Sequence, residues 1–160
     1  MNIRTAKIQN AKEIASLEAQ CFPSAEAASE SSFYERLTFF PKHFWILEEG
    51  DRIVACINGM VTDMDSLTDE MYENAAMHNE LGAWQMIFGV MTLPEYQGYG
   101  YAGILMKYVI DECRKQGRKG LVLTCKDKLV GFYERFGFEN KGLSESEHGG
   151  VRWNEMRLTF

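Results

Sequence analysis

Two glycines one residue apart, Gly98 and Gly100, stand in the nonapeptide Pro94-Glu95-Tyr96-Gln97-Gly98-Tyr99-Gly100-Tyr101-Ala102. Before it, residues 83–92 are apolar on both alternations, the pattern of a strand covered on both faces. After it, residues 99–116 place Ile104, Leu105, Tyr108, Val109 and Glu112 at successive helical turns and stop at Gly117. Glycines at a strand-to-helix junction let the backbone approach a ligand while the first unpaired N–H groups of the helix point outward. Such a junction binds an anion, and a diphosphate fits it best. Gly-x-Gly alone also serves plain turns, so the flanking strand and helix carry the inference.

The remaining pattern sets this junction late in one α/β domain, residues 1–160. A strand at 2–6 leads to a helix at 10–19, where Ile14 and Leu17 share a face and Asn10 with Glu13 reads as a capping box. A second helix is predicted at 31–39, and 44–49 with 52–62 form a hairpin across Glu49-Gly50-Asp51. Gly89 within 83–92 marks a bulge or a close backbone approach. A strand at 120–125, a short helix at 129–136 stopped by Gly137, and strands at 138–141 and 151–159 complete the chain. This order predicts a mixed, mainly antiparallel central sheet of about six or seven strands and about four helices, with a parallel crossover from 83–92 to 120–125.

With 46% hydrophobic and 25% charged residues, the composition is that of a globular chain and argues against disorder. No apolar run approaches the roughly 20 residues of a membrane span, and Met1 to Ala6 lack a secretory layout, so a cytoplasmic protein is expected. Cys21, Cys56, Cys113 and Cys125 are widely spaced, which predicts reduced thiols and no metal site. A net charge of −6 disfavours nucleic acid and anionic membrane as partners. Residues 63–83 hold six acids and no Lys or Arg, which suits a cationic partner. Oligomeric state is not written in any periodicity of the chain.

Gly103 supplies a third glycine at dinucleotide spacing, but the loop follows the fourth strand and no second βαβ half is present, so a dinucleotide-binding module is the weaker reading. No Gly-Lys-Ser/Thr follows, which excludes a kinase-type phosphate loop. Gln97-Gly98-Tyr99-Gly100-Tyr101-Ala102 resembles the pyrophosphate signature of the GNAT acetyltransferase superfamily, with Gln97, Gly100 and Ala102 at its fixed positions. Gly131-Phe132-Tyr133-Glu134-Arg135-Phe136-Gly137-Phe138 is similar to that superfamily's helix before the last hairpin. Residues 38–41, 48–55, 66–68 and 125–133 look closest to the arylalkylamine N-acetyltransferase branch. That branch carries two histidines on the strand before the loop, and here Trp84 and Met86 stand in their place.

The resemblance implies the GNAT fold and an N-acetyltransferase that moves the acetyl group of acetyl-CoA to a primary amine, aromatic or polycationic, by direct attack in a ternary complex. It implies cofactor contacts at Phe88, Gly89 and Val90, whose bulge leaves N–H groups for the pantetheine and the thioester carbonyl. Further contacts are implied at Tyr96, Gln97, Gly98, Tyr99, Gly100, Tyr101, Ala102 and Phe132, and Tyr133 is implied as the general acid. Strand alternation makes Trp84 and Met86 acceptor-pocket walls or, equally, plain core, and Phe33, at helical spacing with Leu37, is core first and substrate wall second. For the general base, His78, Glu80 and Asp63 are the candidates; His43 and His148 are the other histidines. The missing strand histidines leave open a non-catalytic acyl-CoA sensor of the same fold.

Overall fold

The computed structural model describes residues 1–146 and 148–160, the side chain of His148 excepted. Strands β1 (Asn2–Thr5), β2 (Phe44–Glu49), β3 (Arg52–Asn58) and β6 (Gly89–Thr92) form an antiparallel sheet in the order β1-β2-β3-β6. A second sheet has the order β4-β5-β7-β9-β8, from β4 (Val61–Thr62), β5 (Trp84–Ile87), β7 (Gly120–Cys125), β9 (Asn154–Thr159) and β8 (Glu139–Leu143). Its β5–β7 pair is parallel and its other pairs antiparallel. The mixed, mainly antiparallel architecture and the parallel crossover agree with the sequence reading.

The strand count is higher than expected because two long strands break opposite one another. Residues 52–62 divide into β3 and β4 at Gly59, where any Cβ would lie 1.8 Å from the Met86 carbonyl oxygen. Residues 83–92 divide into β5 and β6 at Phe88, whose N–H donates to the Asn58 carbonyl at 2.7 Å. On that side the two broken strands stay laced together, since Met86 N–H also donates to the Met60 carbonyl at 2.8 Å. On the other side β5 pairs with β7 while β6 turns away, so the sheet opens as a V between β6 and β7.

Among the described residues, five α-helices cover the sheets. In α1 (Ala11–Cys21), Ile14, Leu17 and Glu18 face inward. The predicted capping box does not form: Asn10 Oδ1 takes the Lys7 N–H at 2.9 Å, and Glu13 Oε1 reaches across to the Ile53 N–H of β3 at 3.0 Å. In α2 (Glu30–Phe39), the Ser29 hydroxyl caps Ser32 N–H, and Phe33, Arg36 and Leu37 are buried. The acidic stretch contains a helix not predicted from the sequence, α3 (Asp69–Glu73), too short to show periodicity. Helix α4 (Tyr101–Lys115) buries Leu105, Met106, Val109, Ile110 and Cys113. It ends in a Schellman motif, with Gly117 at φ 78°, Gly117 N–H on the Arg114 carbonyl and Arg118 N–H on that of Cys113. Helix α5 (Val130–Glu134) follows β7. Val54, Ala55, Cys56 and Ile57 of β3 are all buried, because α1 and α4 both pack on that strand.

Candidate active site

The junction between β6 and α4 has the form the glycines imply. Gly98 and Gly100 sit at φ 85° and 87°, and a Cβ at either would meet nothing within 4 Å. Backbone conformation, not space, therefore demands glycine at both. The first helical bond at the junction runs from Ile104 N–H to the Gly100 carbonyl at 3.0 Å. Among the described residues, the amides from Gly98 to Gly103 have no internal acceptor, so they form a cluster of outward donors at a helix N-terminus, which fits a diphosphate. Gln97 is turned inward: its N–H goes to the Pro94 carbonyl and its side-chain amide to the Thr92 carbonyl at 3.0 Å, which pins the loop to β6. Tyr96 and Tyr101 meet edge to face at 5.8 Å, with the Arg52 guanidinium over Tyr96, and Tyr99 is exposed.

Alternation along β6 fixes which of its groups face the V. Leu93 N–H pairs with the Val54 carbonyl, so the N–H and C=O groups of Val90 and Thr92 point away from β3. The Thr92 carbonyl is met there by the Cys21 thiol at 3.1 Å and by Gln97, whereas Val90 presents an edge that no described group bonds. Of the three bulge residues, only Val90 keeps the outward amide expected of it. The Phe88 N–H is committed to Asn58, and Phe88 contributes its ring instead.

This edge borders a cleft of about 800 Å³, walled by Phe88, Gly89, Val90 and Tyr133 and, from the helices, by Glu18 and Arg36. Tyr133 is 6% exposed, held edge-on between Phe132 and Phe138, and burial pushes its phenol well above the ordinary tyrosine range. Phe132 packs against Tyr133 and Phe136 and is not part of the cleft wall.

Three residues expected to line an acceptor pocket stand elsewhere. Met86 and Phe33 have no exposed surface, Phe33 lying edge-on to Phe44. Trp84, at the far end of β5, carries the Arg157 guanidinium over its ring. Met86 is covered by protein, whereas Trp84 is half-buried and lies outside the cleft wall.

The expected bases are also outside the cleft wall. Asp63 accepts the Ala83 N–H at 3.1 Å. Glu80 faces His43 Nε2 and His78 Nε2, each at 3.0 Å, and Arg118 at 3.2 Å. His78 Nδ1 accepts the Val61 N–H at 3.0 Å, so the ring proton is on Nε2 and donates to Glu80. That tautomer has no lone pair at Nε2 for a metal, although His43, His78 and Glu80 lie close enough to suggest one. The His148 side chain lies outside the described residues.

Sequence reasoning missed Glu18 and Arg36. Glu18 is 5% exposed and accepts the Ala28 N–H; one of its oxygens lies 3.4 Å from where a Gly89 Cβ would stand. The absent side chain at Gly89 thus makes room for a carboxylate against the bulge. Both residues sit on the buried faces of their helices, next to Leu17 and Leu37, and a charge at such a position was the available signal.

The Acetyltransferase (GNAT) family model matches residues 11–138. The chain belongs to the GNAT acetyltransferase family. Serotonin N-acetyltransferase of Mesocricetus auratus is 31% identical over 115 residues, a match spanning 71% of this chain and about half, 53%, of that relative. The GNAT-like decarboxylase GphF, solved in complex with isobutyryl-CoA, superposes with a TM-score of 0.86 at 18% identity, over 99% of both chains. A GNAT family acetyltransferase from Brucella melitensis, solved with acetyl-CoA, gives 0.64 at 20% identity, over 99% of this chain and 87% of that one. These structures share the fold. Among the described residues this chain has one parallel strand pair, β5–β7, where a dinucleotide fold needs a repeated crossover, and Gly103 is in ordinary contact with Phe136 at 3.6 Å, so the dinucleotide reading loses its footing. Among the described residues no helix is long and apolar enough to cross a membrane.

Proposed function

We propose that this chain is an N-acetyltransferase that carries the acetyl group of acetyl-CoA to a primary amine bound in the cleft, by direct attack in a ternary complex. The observation that carries the reading is the divergence of β6 from β7, which leaves the Val90 edge open beside a cleft holding Glu18 and Tyr133. The amides from Gly98 to Gly103 would hold the pyrophosphate, and the Val90 N–H would hold the pantetheine end and its thioester carbonyl. Acetyl-CoA supplies the activated acyl group. Glu18 accepts a proton from the ammonium, which frees the nitrogen lone pair. As the C–N bond forms and the C–S bond breaks, Tyr133 donates its proton to the departing thiolate and regains one as the amide nitrogen loses its second. A buried phenol stays protonated at neutral pH, and the same dry surroundings raise the thiolate's own affinity for that proton. Asp69 and Glu73 of α3 join the cleft wall and favour a cationic acceptor. The four free thiols suit a reducing cytoplasm.

Thiol release measured over a panel of amines, beside thermal shift with acetyl-CoA and with NADH, tests the reading. Stabilisation by acetyl-CoA together with thiol release supports it; stabilisation without release from any amine assigns a sensor, and stabilisation by NADH alone removes it.

A further inference from the structure

Arg36 lies on the inner face of α2, 4% exposed, and forms part of the cleft wall. Among the described residues its guanidinium has two long hydrogen bonds, from Nη1 to Asn58 Oδ1 and from Nη2 to the Tyr72 carbonyl, both at 3.4 Å. Its Nε has no acceptor among the described residues, and Asn58 Nδ2 has no oxygen or nitrogen acceptor there, with only the weakly accepting Cys56 sulfur beside it. The rings of Phe33, Tyr72 and Phe88 lie 5.2, 6.0 and 4.9 Å from the guanidinium carbon, which orients a cation without neutralising it.

Elsewhere the partly buried cations are paired: Arg4 with Glu48 at 2.9 Å, Lys126 with Glu26 at 3.0 Å, Arg118 with Glu80 at 3.2 Å. No described carboxylate comes within 4.0 Å of Arg36, although a buried cation left without an anion is costly. Burial pulls its proton affinity down, and Glu18, in the same cleft, pushes it back up through space without touching it. Two under-used donors thus stand beside the Phe88–Gly89 bulge, with Asn58 Nδ2 lying 3.8 Å and a Glu18 oxygen 3.4 Å from the place of a Gly89 Cβ, and no ion pair joining Glu18 to Arg36. A planar fork of N–H groups with a spare carboxamide donor is the complement of a carboxylate, and Glu18 is the complement of an ammonium.

We infer that Arg36, with Asn58, receives a carboxylate carried by the acceptor, so that the amine this cleft takes is an amino acid or another amine with a carboxylate close to its nitrogen. The inference rests on the acyl-transfer reading above and narrows its substrate. Arg36 is then a specificity-determining residue, sharing the cleft wall with Glu18.

The test compares matched pairs, tryptophan with tryptamine, phenylalanine with phenethylamine and lysine with cadaverine, as acceptors for acetyl-CoA. The wild type is expected to favour the acid in at least one pair by about tenfold in kcat/KM, and Arg36→Met to lower that preference at least tenfold. Arg36→Lys, which keeps the charge but loses the fork, should fall between and serves if the methionine variant does not fold. Thermal shift by the same ligands in the presence of CoA reads the preference without turnover. Should no amine release thiol, the acyl-transfer reading fails while the thermal-shift ratio still decides the carboxylate. Preference for the decarboxylated amine in every pair, or an acid preference unmoved in both variants, overturns the inference. Malonyl-CoA and succinyl-CoA replace acetyl-CoA in a further arm: selective loss of these donors in Arg36→Met would assign the carboxylate to the acyl group and overturn the acceptor assignment.

Discussion

Tyr133 and Glu18 divide the proton traffic proposed for the cleft, and each makes a separable prediction. Tyr133→Phe keeps the ring between Phe132 and Phe138 and removes only the hydroxyl. Turnover should fall about a hundredfold with acetyl-CoA affinity nearly unchanged, checked by steady-state thiol release and calorimetry. Unchanged turnover removes Tyr133 from the mechanism. Glu18→Gln keeps an acceptor for the Ala28 N–H but no longer takes a proton, so kcat at neutral pH should fall tenfold or more and recover in part as pH rises and free amine accumulates. A fall that does not respond to pH would place Glu18 in packing alone. The place of Tyr133 in the cleft wall was foreshadowed by the motif that surrounds it in the chain. Glu18 and Arg36 were not, because they lie far from the glycine loop in sequence and only the packing of α1 and α2 brings them to the bulge.

At the scale of elements, the glycine junction and the broken strands make opposite demands on a methyl group. Gly98→Ala and Gly100→Ala meet no neighbour but force a positive φ on a residue with a Cβ, at about 1–2 kcal/mol. Acetyl-CoA affinity should therefore drop roughly tenfold while the fold survives, read by calorimetry beside circular dichroism. Gly59→Ala meets the Met86 carbonyl at 1.8 Å in the middle of the laced strands, so it should lower the melting temperature sharply or prevent folding. Periodicity located β7 at its observed residues and α2 and α4 to within two, since their buried faces repeat regularly. The breaks at Gly59 and Phe88 were not located, because an apolar run reads the same whether its strand continues in one sheet or passes into another. Gly89 signalled a bulge, yet the splay it accompanies depends on β7 pairing with β5 and leaving β6, a choice made between distant segments.

Across the whole molecule, stability should carry an acid limb set by the cluster at the end of the acidic stretch. Burial holds the His78 imidazole below its ordinary value of 6.5, and its Nδ1 is occupied by the Val61 N–H. The unfolded chain therefore binds more protons than the folded one just below pH 6.5, and stability falls as pH drops through that region toward the folded value. His43, wholly buried, is shifted the same way by desolvation. Burial alone would raise Glu80, but hydrogen bonds from His78 and His43 outweigh it and hold the carboxyl below 4.5, so a second loss follows as pH falls beneath that value. Melting temperatures recorded from pH 7.5 to 5.5 should decline, and the decline should shrink without vanishing in His78→Asn. An equal decline in that variant would separate His78 from the acid limb.

Amide hydrogen exchange at single-residue resolution, with and without saturating acetyl-CoA, addresses the cofactor grip most directly. Protection should appear at the amides from Gly98 to Gly103 and at Val90, where no described acceptor takes the proton, and leave the Phe88 amide, already bonded to Asn58, little changed. Binding of acetyl-CoA with no protection at the β6–α4 junction, or with protection confined to another surface, would contradict a backbone grip on the pyrophosphate there.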